Sequence, residues 1–198
     1  MTAPWSEAQL RRALARTAAG ASSDYDMNPD IAAPPATLRP AGVLAAFHEG
    51  DGRLVLTKRA SGLRHHPGQI ALPGGKVDPT DADEVAAALR EAQEEVGLDP
   101  AQVELLGTLP AHRTVTGFAI TPVIGIIRGD FVPRPEPGEV EEVFTLPYAH
   151  VTDPGRYRPE ERRWRGGWRT YLAAPLGPYY LWGATARILF GLAQRVRS

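Results

Sequence analysis

The chain has 198 residues, 43% of them hydrophobic and 23% charged, with 22 basic against 23 acidic side chains and a formal net charge of -1. These figures describe one ordinary domain with extensions and exclude any global attraction to nucleic acid or anionic lipid. The absence of cysteine excludes disulfides, iron–sulfur clusters and a cysteine nucleophile, so any metal must be held by oxygen or imidazole.

Leu10, Ala13, Leu14 and Thr17 recur at three- and four-residue spacing, which predicts a short accessory surface helix over 6–18. Arg11, Arg12 and Arg16 are scattered through it with no apolar core or cleavage-like site, so the chain reads as cytoplasmic. Four prolines and no apolar period over 20–40 predict an extended lead-in. Residues 1–40 are therefore expected as helix plus lead-in, and 41–198 as the folded domain.

Apolar runs at 43–47 and 54–56 flank His48-Glu49-Gly50-Asp51-Gly52, a connection suited to a hairpin. A glycine-rich, strand-poor stretch over 61–78 leads to a helix over 83–96. Strands are expected at 103–106 and 120–127, then a loop with Pro133, Pro135 and Pro137, and another apolar stretch at 143–146. The longest apolar stretch, 119–127, contains Thr121, Pro122 and Gly125 and falls far short of the roughly 20 residues needed to span a bilayer. Over 162–172 a second hairpin is predicted with Gly166-Gly167 at its turn, setting Arg165 opposite Trp168 and Trp164 opposite Arg169 for cation–π contact. Ile188, Leu192 and Val196 predict a closing helix over 184–196. Strands interleaved with few helices indicate a mixed α/β domain.

The informative segment is Leu72-Pro73-Gly74-Gly75 followed by Leu89-Arg90-Glu91-Ala92-Gln93-Glu94-Glu95-Val96-Gly97-Leu98. On a helical wheel Val85, Leu89, Ala92 and Val96 form one apolar stripe. Glu91, Glu94 and Glu95 converge on another side at spacings of three and four, where like charges repel unless a hard cation lies between them. The pattern reads as a Mg²⁺ or Mn²⁺ site, with a solvated acidic face as the alternative. Gly74 and Gly75 let backbone approach a cation or phosphate and offer a carbonyl. Asp81 with Glu84 three residues later reads as a capping box, and Gly97 with Pro100 beyond marks the helix end.

These residues resemble the Nudix hydrolases, whose box is a glycine, five residues, a glutamate, seven residues, then R-E-apolar-x-E-E-x-G-apolar. Residues 90–98 match the second half at every specified position. The first half departs: Asp81 replaces the glutamate, and eight residues rather than seven separate it from Arg90. The departure resembles the coenzyme A pyrophosphatase branch. Thr57, Arg59, Ala60, Arg64, Gly68 and Pro73-Gly74-Gly75 fit that branch's upstream signature, with Val55 and Leu72 differing by apolar exchange.

The resemblance implies a Nudix-type α/β/α sandwich with a mixed sheet, an N-terminal helical extension and a C-terminal helix. It implies cleavage of the diphosphate linkage of coenzyme A or its derivatives to 3′,5′-ADP and a 4′-phosphopantetheine product. Glu91, Glu94 and Glu95 would hold Mg²⁺ or Mn²⁺ with help from the Gly74 or Gly75 carbonyl, and one glutamate would orient or deprotonate the water. Arg90 would orient a glutamate by ion pairing, with an ordinary helix salt bridge as the alternative. Family sites often add an acid from outside the helix; among Glu139, Glu141 and Glu142 the preferred one is Glu142, on the strand face opposite the other two. Arg59 and Arg64, with Lys58 a weaker candidate, would contact phosphate oxygens, and Gly68 and Gln69 fit a loop pressed near the ligand.

His65, His66, His112 and Arg113 are lesser substrate candidates. The stretch 156–169 has six arginines against two glutamates with three aromatic residues. It reads as a twisted hairpin of solvated arginines, with RNA contact as the alternative. ADP-ribose, dinucleotides and RNA 5′ ends remain rival substrates, and a nucleotide-binding module without catalysis a rival function. The expected partner is a small molecule rather than nucleic acid or membrane, with a homodimer left open.

Overall fold

In chain order the computed structural model, which describes residues 4–16, 21–30, 37–164 and 166–197, begins with helix α1 (Glu7–Ala15). Ser6 caps it by accepting the Gln9 amide. Strand β1 (Ser22–Ser23) runs into a 3₁₀ turn, Asp24–Met27, closed by a capping box between Ser23 and Asp26. Strands β2 (Arg39–His48) and β3 (Arg53–Arg59) meet at a turn where Gly52 takes φ +65° and donates to the His48 carbonyl. Short strands β4 (Ile70–Ala71) and β5 (Gly74–Lys76) precede helix α2 (Glu84–Val96). Then come β6 (Val103–Thr108), β7 (His112–Arg113), β8 (Phe118–Ile127), β9 (Val140–Pro147) and the single-turn α3 (Tyr148–Val151). Strands β10 (Arg158–Trp164), β11 (Gly167–Leu176) and β12 (Tyr179–Trp182) lead to helix α4 (Gly183–Arg197).

The main sheet is mixed. At its centre β2 runs parallel to β8, in register from Arg39 opposite Phe118 to His48 opposite Ile127. Outward from β8 lie β6 and β7, both antiparallel to it, with β1 parallel to β7. On its other side β2 pairs antiparallel with β5 at one end and β3 at the other, and β3 carries β4 and β9.

Both faces of the central strands are covered, which is why they read as unbroken apolar runs. Alternation sends Leu44, Ala46, Val55, Val123 and Ile127 toward Ala88, Ala92 and Val96 of α2. It sends Ala45, Phe47, Leu54, Leu56, Ile124 and Ile126 the other way, into a core shared with α1, α3, α4 and the second sheet. The expected α/β/α sandwich is therefore observed. The second sheet, β10–β11–β12, is antiparallel and contributes Leu172, Ala174 and Leu181 to that core. Among the described residues no helix is long and apolar enough to cross a membrane.

Four local expectations are corrected. Helix α1 is not a surface accessory, because Leu10 and Ala13 are fully buried in the core and Trp5 packs on Phe47 and Tyr148. The stretch 61–78 contains β4 and β5, whose pairing rests on backbone bonds rather than on a side-chain pattern. Helix α2 is capped by Asp83, which accepts the Ala86 amide, and Asp81 is engaged elsewhere. The second hairpin turns one residue earlier than expected: Gly166 takes φ +85° while Gly167 is already in β11. Gly167 thus faces Trp164, Trp168 faces Arg163 and Arg169 faces Arg162. Arg165 lies outside the described residues.

Candidate active site

Glycine lets α2 lie close against the β2–β5 strand pair. A Cβ at Gly42 would sit 1.9 Å from the Glu84 carbonyl oxygen, and one at Gly75 would sit 2.3 Å from Glu91 Oε1. Gly74 adopts φ +151° with the Gly42 carbonyl 2.3 Å from where a Cβ would be. Carboxylates on the helix consequently press onto strand backbone.

Glu95 is 4% exposed, accepts the Gly74 amide at 3.1 Å and lies 3.8 Å from Arg59 Nη1. Burial pushes its carboxyl up to about 7; Glu91 and Glu139 push the same way, against the Gly74 amide and Arg59. Burial also raises Glu91, with Glu94 and Glu139 adding to it and Arg90 opposing. Glu91 and Glu95 thus repel one another in a poorly solvated place.

Arg90 ties the group together. Its Nε and Nη2 fork onto the two carboxylate oxygens of Asp81, both at 2.9 Å, while Nη1 reaches Glu91 at 3.1 Å and Glu94 at 2.9 Å. Nη2 also donates to the Lys76 carbonyl at 3.3 Å. Asp81, 5% exposed, takes the Asp78 amide as well, and the Arg90 guanidinium holds its carboxyl below the usual aspartate range. Glu94 is the exposed member at 58%.

The other expected residues divide. Arg59 reaches Glu95, and Gln69 and Gly74 share a cavity wall with it. Gly68, at φ +68°, closes the preceding loop by donating to the Arg59 carbonyl. Lys58 pairs with Glu141 at 2.6 Å, and Arg64 is exposed and is not one of the cavity-wall residues. Glu142 accepts the Tyr179 hydroxyl at 2.6 Å, whereas Glu139 is the β9-side acid whose charge is felt at Glu91 and Glu95. Of the histidines, His66 lines the cavity; His112 is fully buried, its ring nitrogens bonded to Ser22 and Asp24. Arg113 is exposed and its carbonyl accepts the Ser23 hydroxyl.

A cavity of about 480 Å³ opens beside this cluster, within the range of small-molecule sites. Arg59, Gln69 and Gly74 stand on one side, Val43, Leu72 and Phe118 supply apolar wall, and Arg162, Arg169 and Trp182 come from the second sheet. Asp24 and Asn28 of the lead-in complete it; Asn28 holds the Thr170 backbone through both amide atoms at 2.9 and 2.8 Å. The second-sheet arginines and the lead-in residues were not foreseeable as cavity wall, because only tertiary packing brings them there. The arginine-rich composition was the available signal.

Among the described residues no three acidic or imidazole side chains converge into a preformed metal-binding group. Glu91 and Glu94 are drawn instead to Arg90. The donor chemistry nevertheless fits a hard divalent cation, since the donors are carboxylate oxygens and the ionisation of Glu91 and Glu95 is opposed by burial and by neighbouring acids. Such an ion would relieve both.

An acid-bearing helix held by glycines against a mixed sheet, with a cavity beside it, places the molecule in a defined class. The chain belongs to the NUDIX domain family, whose model matches residues 38–178. It is 47% identical over 143 residues to a Cronobacter sakazakii protein named Uncharacterized Nudix hydrolase NudL, covering 72% of this chain and 74% of that one. A Salmonella paratyphi B protein of the same name is 48% identical over the same shares. Among solved structures, the NUDIX domain of Shewanella oneidensis NrtR complexed with ADP ribose is 23% identical, with a TM-score of 0.45 over 65% of this chain and 84% of that one.

Proposed function

We propose that the protein is a divalent-metal-dependent hydrolase that cleaves the diphosphate linkage of coenzyme A or its derivatives to 3′,5′-ADP and 4′-phosphopantetheine or its acylated form. One observation carries the reading: Arg59 and Gly74, the partners of Glu95, are also wall residues of the cavity. A diphosphate bound there meets the acid helix directly. The 54–75 signature supports the substrate, and the relatives named as Nudix hydrolases support the reaction class.

Glu91, Glu94 and Glu95 would hold Mg²⁺ or Mn²⁺ with the Gly74 or Gly75 backbone, and such an ion would supply neutralisation of phosphoryl charge and a more acidic water. Arg59 draws phosphate oxygens toward Glu95. Arg90, itself anchored by Asp81, orients Glu91 and Glu94, and one of the three glutamates takes the proton of the attacking water. The apolar wall limits competing water.

The test is incubation of purified protein with coenzyme A and Mg²⁺ or Mn²⁺, with products separated by chromatography. The expected result is 3′,5′-ADP, reduced at least about a hundredfold in both Glu94→Gln and Glu95→Gln. No 3′,5′-ADP from folded protein with either metal overturns the coenzyme A assignment. ADP-ribose, NADH and capped RNA in the same panel identify a different substrate, and turnover of none of them indicates a binding module.

A further inference from the structure

The arginine-rich hairpin has no part in the chemistry just described, yet it reaches the same cavity. Arg162 on β10 stands directly opposite Arg169 on β11. Strand alternation puts Tyr171 on that same face, and the register of Ala173 opposite Trp182 adds Trp182 from β12. All four side chains belong to residues of the cavity wall. Tyr171 and Trp182 meet edge to face at 5.4 Å, and the Arg162 guanidinium lies 5.7 Å from the centre of the Trp182 ring.

Two like charges directly opposite on a sheet face destabilise it, and an anion between them reverses the sign. The wall as a whole carries Arg59, Arg162 and Arg169 against a single acid, Asp24. Asp24 itself is bonded to His112 and to the Val115 amide. Glu160, on the same sheet face, is bonded to Arg158 and Tyr180. One arginine, Arg59, stands at the Glu95 end beside Gly74; the other two form a separate basic group on the second sheet. Guanidinium pairs of this kind suit the planar, bidentate recognition of phosphate.

We propose that Arg162 and Arg169 form a second anion subsite, which takes a phosphomonoester carried on the nucleoside part of a substrate whose diphosphate lies at Arg59 and Glu95. The pair then sets specificity: it selects nucleotides with an additional monophosphate over those without one. The proposal rests on the hydrolase reading for the placement of the diphosphate, whereas the basic pair and its cavity stand independently of it.

The test uses 3′,5′-ADP and 5′-AMP, which differ by one phosphomonoester and contain no diphosphate linkage, so binding is read without hydrolysis. Calorimetry on the full chain is expected to show 3′,5′-ADP binding about tenfold or more tighter than 5′-AMP. Arg162→Ala and Arg169→Ala, alone and together, remove most of that gap and leave 5′-AMP affinity within about twofold. Arg162→Gln and Arg169→Lys serve where an alanine variant fails to fold, as judged by circular dichroism. Equal binding of the two nucleotides by the wild type overturns the proposal, as does an unchanged gap in the double variant. Equal weakening of both ligands also overturns it, since that marks a structural role. A retained gap without turnover of coenzyme A sinks the coenzyme A assignment and leaves the subsite; turnover without a gap does the reverse.

Discussion

At the scale of single residues, Asp81 decides how the acid cluster is held. The box arithmetic marks it as a departure, and spacing alone makes it a helix cap, because an aspartate three residues before a glutamate satisfies that pattern. Asp83 takes the cap, and Asp81 takes both arms of the Arg90 fork. Sequence spacing cannot rank two aspartates that differ by two positions; burial can, since Asp81 is nearly enclosed. Asp81→Asn is expected to slacken Arg90 and lower turnover about tenfold, mainly in kcat, because Arg90 no longer steadies Glu91 and Glu94. The native carboxyl titrates below the unfolded value of 3.8, so its contribution to stability is present above that pH and lost as pH falls through the lowered native value. Thermal melts carried from pH 7 to well below pH 3.8 are accordingly expected to show a constant gap between wild type and Asp81→Asn above 3.8 that narrows only below it. The three helix glutamates were legible because helical period alone puts them on one side. Glu139 was not, because its nearness to them depends on how β9 meets β3.

At the scale of elements, the seat of α2 is set by what the strands lack. Its apolar stripe and C-terminal glycine were readable from the sequence, and Gly97 ends the helix at φ +72° as expected. The strand beneath it was not, since glycines carry no alternating pattern and β5 exists by pairing Gly74 with Val43 and Gly75 with Gly42. Gly42 is the tightest point, where the helix backbone passes. Gly42→Ala is expected to push α2 outward, costing about 3 kcal/mol in urea denaturation. Activity in the folded fraction falls about a hundredfold, because misplacement of the acids by even 1 Å is costly. Normal activity in a destabilised Gly42→Ala protein would separate helix placement from chemistry.

At the scale of the whole molecule, the segments ahead of the family-matched region are structural parts of it. Helix α1 packs with α4, where Gln9 donates to the Val196 carbonyl at 3.1 Å, and Leu10 is fully buried. Leu10→Ala is expected to cost about 2–5 kcal/mol by denaturant titration, a loss that an accessory helix would not show. The sequence revealed the helix through its period but not its burial, because a nine-residue stripe looks the same on a surface as in a core. The parallel pairing of β2 with β8 has a further consequence, for the time course of folding. Sixty-nine residues, 49 to 117, separate the two strands in the chain, and the contacts between them close a loop that no local turn can nucleate. During synthesis β2 can pair with β3 and β5 on one edge, but its other edge must wait, open, until β8 has emerged. The basic hairpin and α4 arrive later still, so the cavity gains its last wall only after the main sheet has formed.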